Sequence, residues 1–194
     1  MSIEQKRFNR LRKELQYLQS ELEYVEEVLK EAHLKFEKTH REYCKDNNID
    51  LDDLNKQHSE KINQLIPKPV KKETGLVVYE NKKDKDVFKR VYKQIAKKLH
   101  PDIGGDEEEF KKATSAMQEK NLEKLLDICD KHVILLKIDK EMIEVLEKQI
   151  LETKERINKE KSTYSWKLYS CGRNELCRNQ LMDAFLKQLF NYRR

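Results

Sequence analysis

The middle of the chain is organised around one short stretch, which reads Lys97-Lys98-Leu99-His100-Pro101-Asp102-Ile103-Gly104-Gly105-Asp106. A lysine-rich amphipathic pattern runs into it, and Pro101 ends the helix that this pattern predicts. Gly104 and Gly105 supply the backbone freedom for a sharp return. Asp106 and the three glutamates after it favour a new helix, because negative charge stabilises a first helical turn. The stretch therefore predicts a helical hairpin with a polar tip that faces solvent.

The first helix of this hairpin is basic on its exposed face. We expect it over residues 84–99, with Asp84 or Asp86 as its N-cap. Its apolar face carries Val87, Phe88, Val91, Tyr92, Ile95, Ala96 and Leu99, and its opposite face carries Lys85, Lys89, Arg90, Lys93, Lys97 and Lys98. The next helix begins near Asp106 and turns Phe110, Ala113, Ala116 and Met117 back to the basic one. A further short helix follows, with Asn121 as its N-cap.

The composition of the whole chain predicts an all-α fold. Of 194 residues, 40% are charged and 37% hydrophobic, with only four glycines and three prolines. Such a chain favours long helices with narrow apolar faces over a thick core. The net charge of +5 is the balance of 41 basic and 36 acidic residues, which describes a mixed surface. Nucleic-acid binding is therefore unlikely, and the basic helix is the only place where it could arise.

The N-terminal region shows a heptad pattern. Its apolar residues are spaced alternately three and four apart, at Phe8, Leu11, Leu15, Leu18, Leu22, Val25, Leu29, Ala32 and Phe36. This pattern is typical of a coiled-coil helix, because a strict 3.5-residue repeat keeps one stripe facing a partner. We expect this helix to end near residue 45. A turn over residues 46–50 follows, and Asp50 caps a second helix over residues 51–65.

A second long helix is expected over residues 133–160, with apolar residues at Leu135, Ile138, Met142, Leu146, Ile150 and Ile157. Antiparallel pairing with the N-terminal helix is the simplest way to bury both apolar faces in one chain. Homodimerisation through the N-terminal heptads is the alternative. Residues 164–190 are apolar enough to need a partner surface. They either cap the coiled coil or dock a client or assembly partner.

These patterns divide the chain into four segments. Residues 1–65 are N-terminal coiled-coil helices, and residues 66–83 are a linker in which Pro67 and Pro69 block helix formation. Residues 84–130 are the hairpin region, and residues 131–194 are a C-terminal coiled-coil helix followed by an apolar tail helix. The predicted fold is all-α, with the hairpin inserted between long antiparallel coiled-coil helices.

The cysteines and the lack of recognisable sites narrow the functional classes. The four cysteines form no CxxC pair and have no set of histidines beside them; they are Cys44, Cys129, Cys171 and Cys177. This pattern predicts reduced thiols in a cytoplasmic protein and no metal site. We expect no secretory signal and no membrane span, since no apolar run is long enough. No phosphate-binding loop, nucleophile elbow or paired catalytic carboxylates occur, so we do not expect an enzyme.

The hairpin region resembles the core of a J domain, the DnaJ-type module that activates DnaK-type chaperone ATPases. The matching features are Tyr92 and Ala96 on the basic helix, the tripeptide His100-Pro101-Asp102 directly after it, and Phe110 in the next helix. Residues 117–126 also resemble a bacterial subgroup in which coiled coils flank the hairpin. The resemblance covers about residues 84–128. The short first helix of the family, with its Tyr and Leu pair, has only residues 76–79 as a candidate.

This resemblance implies a non-enzymatic co-chaperone whose partner is a DnaK-type ATPase. Charge contacts would come from Lys89, Arg90, Lys93 and Lys97, and His100, Pro101 and Asp102 would trigger hydrolysis. ATP belongs to the partner, so no cofactor is expected in this chain. A basic face suits an acidic partner surface, and polar groups on an exposed loop are candidates for function. The alternative is a structural coiled-coil adaptor in a larger assembly, with the hairpin only as scaffold.

Overall fold

The structure is a computed structural model and describes residues 2–65 and 82–192. Within these ranges all regular elements are helical and there is no strand, so the all-α prediction is confirmed for the described residues. The α-helices are α1 (Ile3–Asp46), α2 (Leu51–Leu65), α3 (Lys82–Leu99), α4 (Glu107–Gln118), α5 (Leu122–Lys131), α6 (Lys140–Ser162), α7 (Tyr164–Cys171) and α8 (Glu175–Phe190). A short 3-10 turn, Pro101–Ile103, lies between α3 and α4. Residues 66–81 of the predicted linker lie outside the described residues, as do residues 76–79.

Most helix starts follow the capping chemistry of the sequence. The side chains of Asp50, Asp106 and Asn121 each accept a hydrogen bond from the amide three residues further on. The caps at Asp50 and Asn121 were predicted, and the cap at Asp106 lies where a helix start was expected. The cap predicted at Asp84 or Asp86 is wrong, because α3 already includes Lys82.

The helix predicted from residue 133 begins later than expected. Residues 133–139 are not helical, Val133 has a φ of 51°, and Leu135 is 92% exposed. The helix α6 begins only at Lys140, where the Asp139 carboxylate accepts a hydrogen bond from the Met142 amide at 3.0 Å. The apolar run before Asp139 was therefore misread as helix, since Asp139 provides the N-terminal cap.

The described chain divides into two compact units. The first contains residues 2–22 and 82–156, and the second contains residues 23–65 and 157–192. Each of the predicted segments 1–65 and 131–194 contributes to both units.

The first unit combines the start of α1 with α3, α4, α5 and most of α6. Each of these helices contributes buried side chains, and α4 contributes the small residues Ala113 and Ala116. The larger fully buried side chains are those of Leu15, Val87, Val91, Ile95, Leu122, Leu125, Met142 and Leu146. The apolar stripes predicted for α1 and α3 are therefore buried within this unit at these positions.

Two ion pairs fix the direction of α6 relative to the start of α1. Arg7 pairs with Glu147 at 2.5 Å, and Glu14 pairs with Lys154 at 2.6 Å. Because both pairs join residues 140 positions apart, the two helices run in the same direction in this unit. The predicted antiparallel pairing is therefore wrong here.

The path of the chain explains this parallel arrangement. Gln16 bonds to Glu123 and Arg12 bonds to Asp127, so α5 runs antiparallel to α1. The chain then reverses once more before α6. After this further reversal, α6 runs in the same direction as α1. Hydrophobic periodicity alone does not predict how many times the chain reverses.

The second unit is built from the rest of α1 with α2, α7 and α8. One buried cluster contains Tyr43, Cys44, Ile49, Leu168, Met182 and Leu186. The Tyr43 hydroxyl donates to the Asp183 carboxylate at 2.6 Å and so ties α1 to α8. No helix in the described ranges is long and apolar enough to cross a membrane.

The cysteines differ from the prediction of four reduced thiols. Cys171 and Cys177 form a disulfide across the turn between α7 and α8, where the chain brings their Cα atoms to 5.7 Å. Cys44 and Cys129 are free and buried. The prediction failed for the first pair because the short turn returns the chain on itself, which sequence spacing does not reveal.

Candidate functional site

The tip of the predicted hairpin is a short, fully hydrogen-bonded turn. His100 has extended backbone angles and caps the 3-10 turn Pro101–Ile103. Its carbonyl oxygen accepts hydrogen bonds from the amides of Ile103 and Gly105, both at 3.1 Å. Gly104 ends the turn with a φ of 76°, a conformation that glycine adopts without steric cost. The turn is therefore held by its own backbone hydrogen bonds.

Gly105 is required for a different reason, which is close approach. A Cβ atom at this position would lie 2.3 Å from the carbonyl carbon of Leu99, far inside van der Waals contact. The backbone after the tip therefore lies directly against the last residue of α3. This contact fixes where α4 begins relative to the end of α3.

The side chains of the tripeptide face solvent to different degrees. The His100 side chain is 41% exposed and the Asp102 side chain is 85% exposed. The Asp102 amide donates to Nδ1 of His100 at 3.2 Å, so a neutral His100 carries its proton on Nε2. Phe110 packs against the imidazole in an edge-to-face arrangement, with the two ring centroids 4.9 Å apart. The next helix thus orients the ring, while the Asp102 carboxylate, which lies 3.4 Å from Nδ1 of His100, is largely open to solvent.

Three of the four predicted basic residues form an open row on α3. Lys89, Lys93 and Lys97 lie one helical turn apart and are exposed, on the side opposite the buried Val91 and Ile95. Within the described part of the chain, none of these three lysines has an ion pair. Their charges are therefore available to an external acidic group.

Arg90, the fourth predicted basic residue, is engaged inside the unit. Its guanidinium lies 2.7 Å from the Asp139 carboxylate and 3.6 Å from that of Glu141. Asp139 also caps α6 through its other carboxylate oxygen. The structure thus brings His100, Pro101, Asp102 and the lysine row together on one hairpin, and gives Arg90 an internal partner.

Sequence reasoning missed a buried charge in the first turn of α4, which links the hairpin to the end of α5. Glu109 is 4% exposed, and its carboxylate accepts hydrogen bonds from Lys112 and Lys131, each at 2.7 Å. These two bonds lower the pKa of Glu109 to about 2. The His132 ring lies 3.6 Å from the same carboxylate. The signal was present in the sequence, because Glu109 shares the inward stripe of α4 with Ala113 and Ala116 at helical spacing.

A second buried carboxylate lies between α1 and α5. Glu123 is 4% exposed and accepts a hydrogen bond from the Gln16 amide at 2.7 Å. Burial is the main cause that raises its pKa to about 7, and the nearby Asp127 adds to the effect. Arg12 pairs with Asp127 at 2.9 Å and with Asp130 at 2.6 Å on the same face of α5. These contacts anchor the hairpin region to the N-terminal helix.

A concavity of about 520 Å³ lies at the other end of α3. Asp84, Phe88 and Lys148 line it, together with side chains of α4 and α6. It includes no residue of the tip or of the lysine row. The chemistry of the hairpin tip therefore belongs to an exposed surface and not to a pocket.

A comparison of the chain with models of known families, with curated proteins and with solved structures finds no match.

Proposed function

We propose that the chain is a J-domain-like co-chaperone that docks on a DnaK-type chaperone and stimulates its ATPase. The observation that carries this proposal is the exposed His100-Pro101-Asp102 turn at the end of a helix that bears an exposed row of lysines. The chemistry of ATP hydrolysis belongs to the partner, and this chain acts by binding.

The parts of the hairpin have separate roles in this proposal. The row Lys89, Lys93 and Lys97 steers and orients the hairpin on an acidic surface, since exposed charges act mainly on encounter and register. The Asp102 carboxylate is 85% exposed and has its contact with Nδ1 of His100 at 3.4 Å, and it meets a donor on the chaperone. His100 supports the turn because its Nδ1 accepts a hydrogen bond from the Asp102 amide.

The test is single-turnover ATP hydrolysis by a purified DnaK-type chaperone, with and without the full-length chain. We expect the wild type to accelerate hydrolysis and His100→Gln to lose this acceleration. The fold of the variant is checked by circular dichroism. Equal rates with the wild type and His100→Gln contradict the proposal.

The second candidate is a structural adaptor that uses the hairpin as scaffold. The observation in its favour is that α5 is fastened to α1 by Gln16, Arg12 and their partners, so the hairpin is part of a larger bundle. An adaptor would hold a stable partner through its long helices and the tail, and His100→Gln would leave that complex unchanged. Affinity capture with the full-length chain and this variant separates the two functions.

We further propose that the protein is cytoplasmic and that clients or assembly partners bind the long helices and residues 164–190. Within the tail, Leu176 is 68% exposed and Leu189 is 39% exposed, which gives an apolar partner a place to pack.

A further inference from the structure

We infer that Asp139 and Glu141 are an internal competitor for the docking face, because they occupy Arg90 in place of the carboxylates of an acidic partner. This inference rests on the proposed function and concerns the regulation of that site. If all four basic residues contact the partner, Arg90 must break its ion pairs with Asp139 and Glu141 and pair with carboxylates of the partner instead.

The geometry supports a held arginine and not a chance surface contact. Asp139 uses one carboxylate oxygen to cap α6 at 3.0 Å and the other to bind Arg90 at 2.7 Å. The capping hydrogen bond already holds the Asp139 carboxylate in place, so Asp139 loses little side-chain freedom when it pairs with Arg90. Glu141 adds a second negative charge at 3.6 Å.

The internal ion pair with Asp139 and Glu141 is made by Arg90 and not by the lysines next to it on α3. Lys89 is adjacent to Arg90 in sequence and Lys93 lies one turn further, yet both are exposed and have no ion pair in the described residues. The docking face therefore consists of an open lysine row and one arginine that is already satisfied. An exposed pair of this kind is weak enough to exchange, since such pairs contribute little in water.

The expected effect is a gain in affinity when the competitor is neutralised. The double variant Asp139→Asn/Glu141→Gln keeps an oxygen at residue 139 to cap α6 but removes both charges. We expect it to bind a DnaK-type chaperone about two- to fivefold more tightly at low salt, with a smaller gain at high salt. Glu144→Gln is the matched control, because Glu144 lies on the same helix and pairs with Lys140 instead.

Arg90→Ala tests whether the gain acts through the arginine. In the wild-type chain this change should lower affinity by less than it does in the Asp139→Asn/Glu141→Gln background, because Asp139 and Glu141 already pair with Arg90. In the Asp139→Asn/Glu141→Gln background it should remove the two- to fivefold gain. A double-mutant cycle with the same variants, followed by thermal unfolding without the chaperone, measures the coupling between Arg90 and the two carboxylates.

The outcomes separate this inference from the proposed function. A gain that disappears with Arg90→Ala supports it. Binding that responds to His100→Gln but not to the acidic double variant overturns the inference and leaves the proposed function intact. An equal gain from Glu144→Gln also overturns it, since the effect is then one of net charge. Failure of every variant to bind the chaperone overturns both, whatever coupling the unfolding cycle shows.

Discussion

Glu109 is the residue whose replacement should most clearly loosen the hairpin. Its side chain is 6% exposed, and the hydrogen bonds from Lys112 and Lys131 lower its pKa to about 2 from an ordinary 4.5. The difference between these two pKa values corresponds to about 3 kcal/mol. The lysine side chains are 62% and 61% exposed, so solvent screening reduces this figure, and we expect about 1–2 kcal/mol for Glu109→Gln.

The pH dependence follows from the direction of the shift. Because folding lowers the pKa of Glu109, the carboxylate stabilises the fold fully above about pH 4.5, and this contribution is lost as the pH falls toward 2. The difference in unfolding free energy between the wild type and Glu109→Gln should therefore be largest near pH 7. It should shrink between about pH 5 and pH 2.

Urea unfolding followed by circular dichroism measures the effect. With a slope of about 2 kcal/mol per molar urea, the midpoint at pH 7 should fall by about 0.5–1 M. Hydrogen exchange of the α4 and α5 amides locates the loss, and we expect faster exchange there. Glu108→Gln is the matched control, since Glu108 occupies the same first turn but is exposed. Equal midpoint shifts for both variants, or a difference that does not change with pH, refute the reasoning.

Two further predictions concern other positions in the first unit. Burial raises the pKa of Glu123 to about 7, so its charge costs stability as the pH rises from about 4.5 through 7. Glu123→Gln keeps the bond from Gln16 and should raise the melting temperature at pH 8, with the gain gone at pH 4; a gain that is equal at both pH values contradicts this. Gly105→Ala should destabilise the unit by more than Gly104→Ala, for which we expect roughly 1 kcal/mol. A Cβ atom at residue 105 would overlap the backbone of Leu99, whereas residue 104 has open space around it. Comparison of the two urea midpoints checks the order.

Local chemistry explains why much of the fold was predictable from the sequence. The caps at Asp50 and Asn121 depend only on residues within one turn, and each is found where expected. The heptad positions Leu15 and Val25 are fully buried, because periodicity determines which face of a helix turns inward.

Long-range geometry explains what was missed. Periodicity does not define the direction of a partner helix, so the parallel run of α6 beside the start of α1 was not foreseen. The same limit applies to Arg90, whose place on the basic face was correctly predicted but whose pairing with Asp139 joins residues far apart in the chain. The Cys171–Cys177 disulfide likewise depends on the turn between α7 and α8.

The buried face of α3 shows how the hairpin is held within the first unit. Val87, Val91 and Ile95 are fully buried, and α4 and α5 pack directly against α3. The apolar face of the basic helix is therefore covered by helices that follow it in the chain. The His100 side chain lies outside this buried face and is 41% exposed. His100→Gln should therefore leave the fold intact, so the ATPase measurement with this variant tests activity separately from folding.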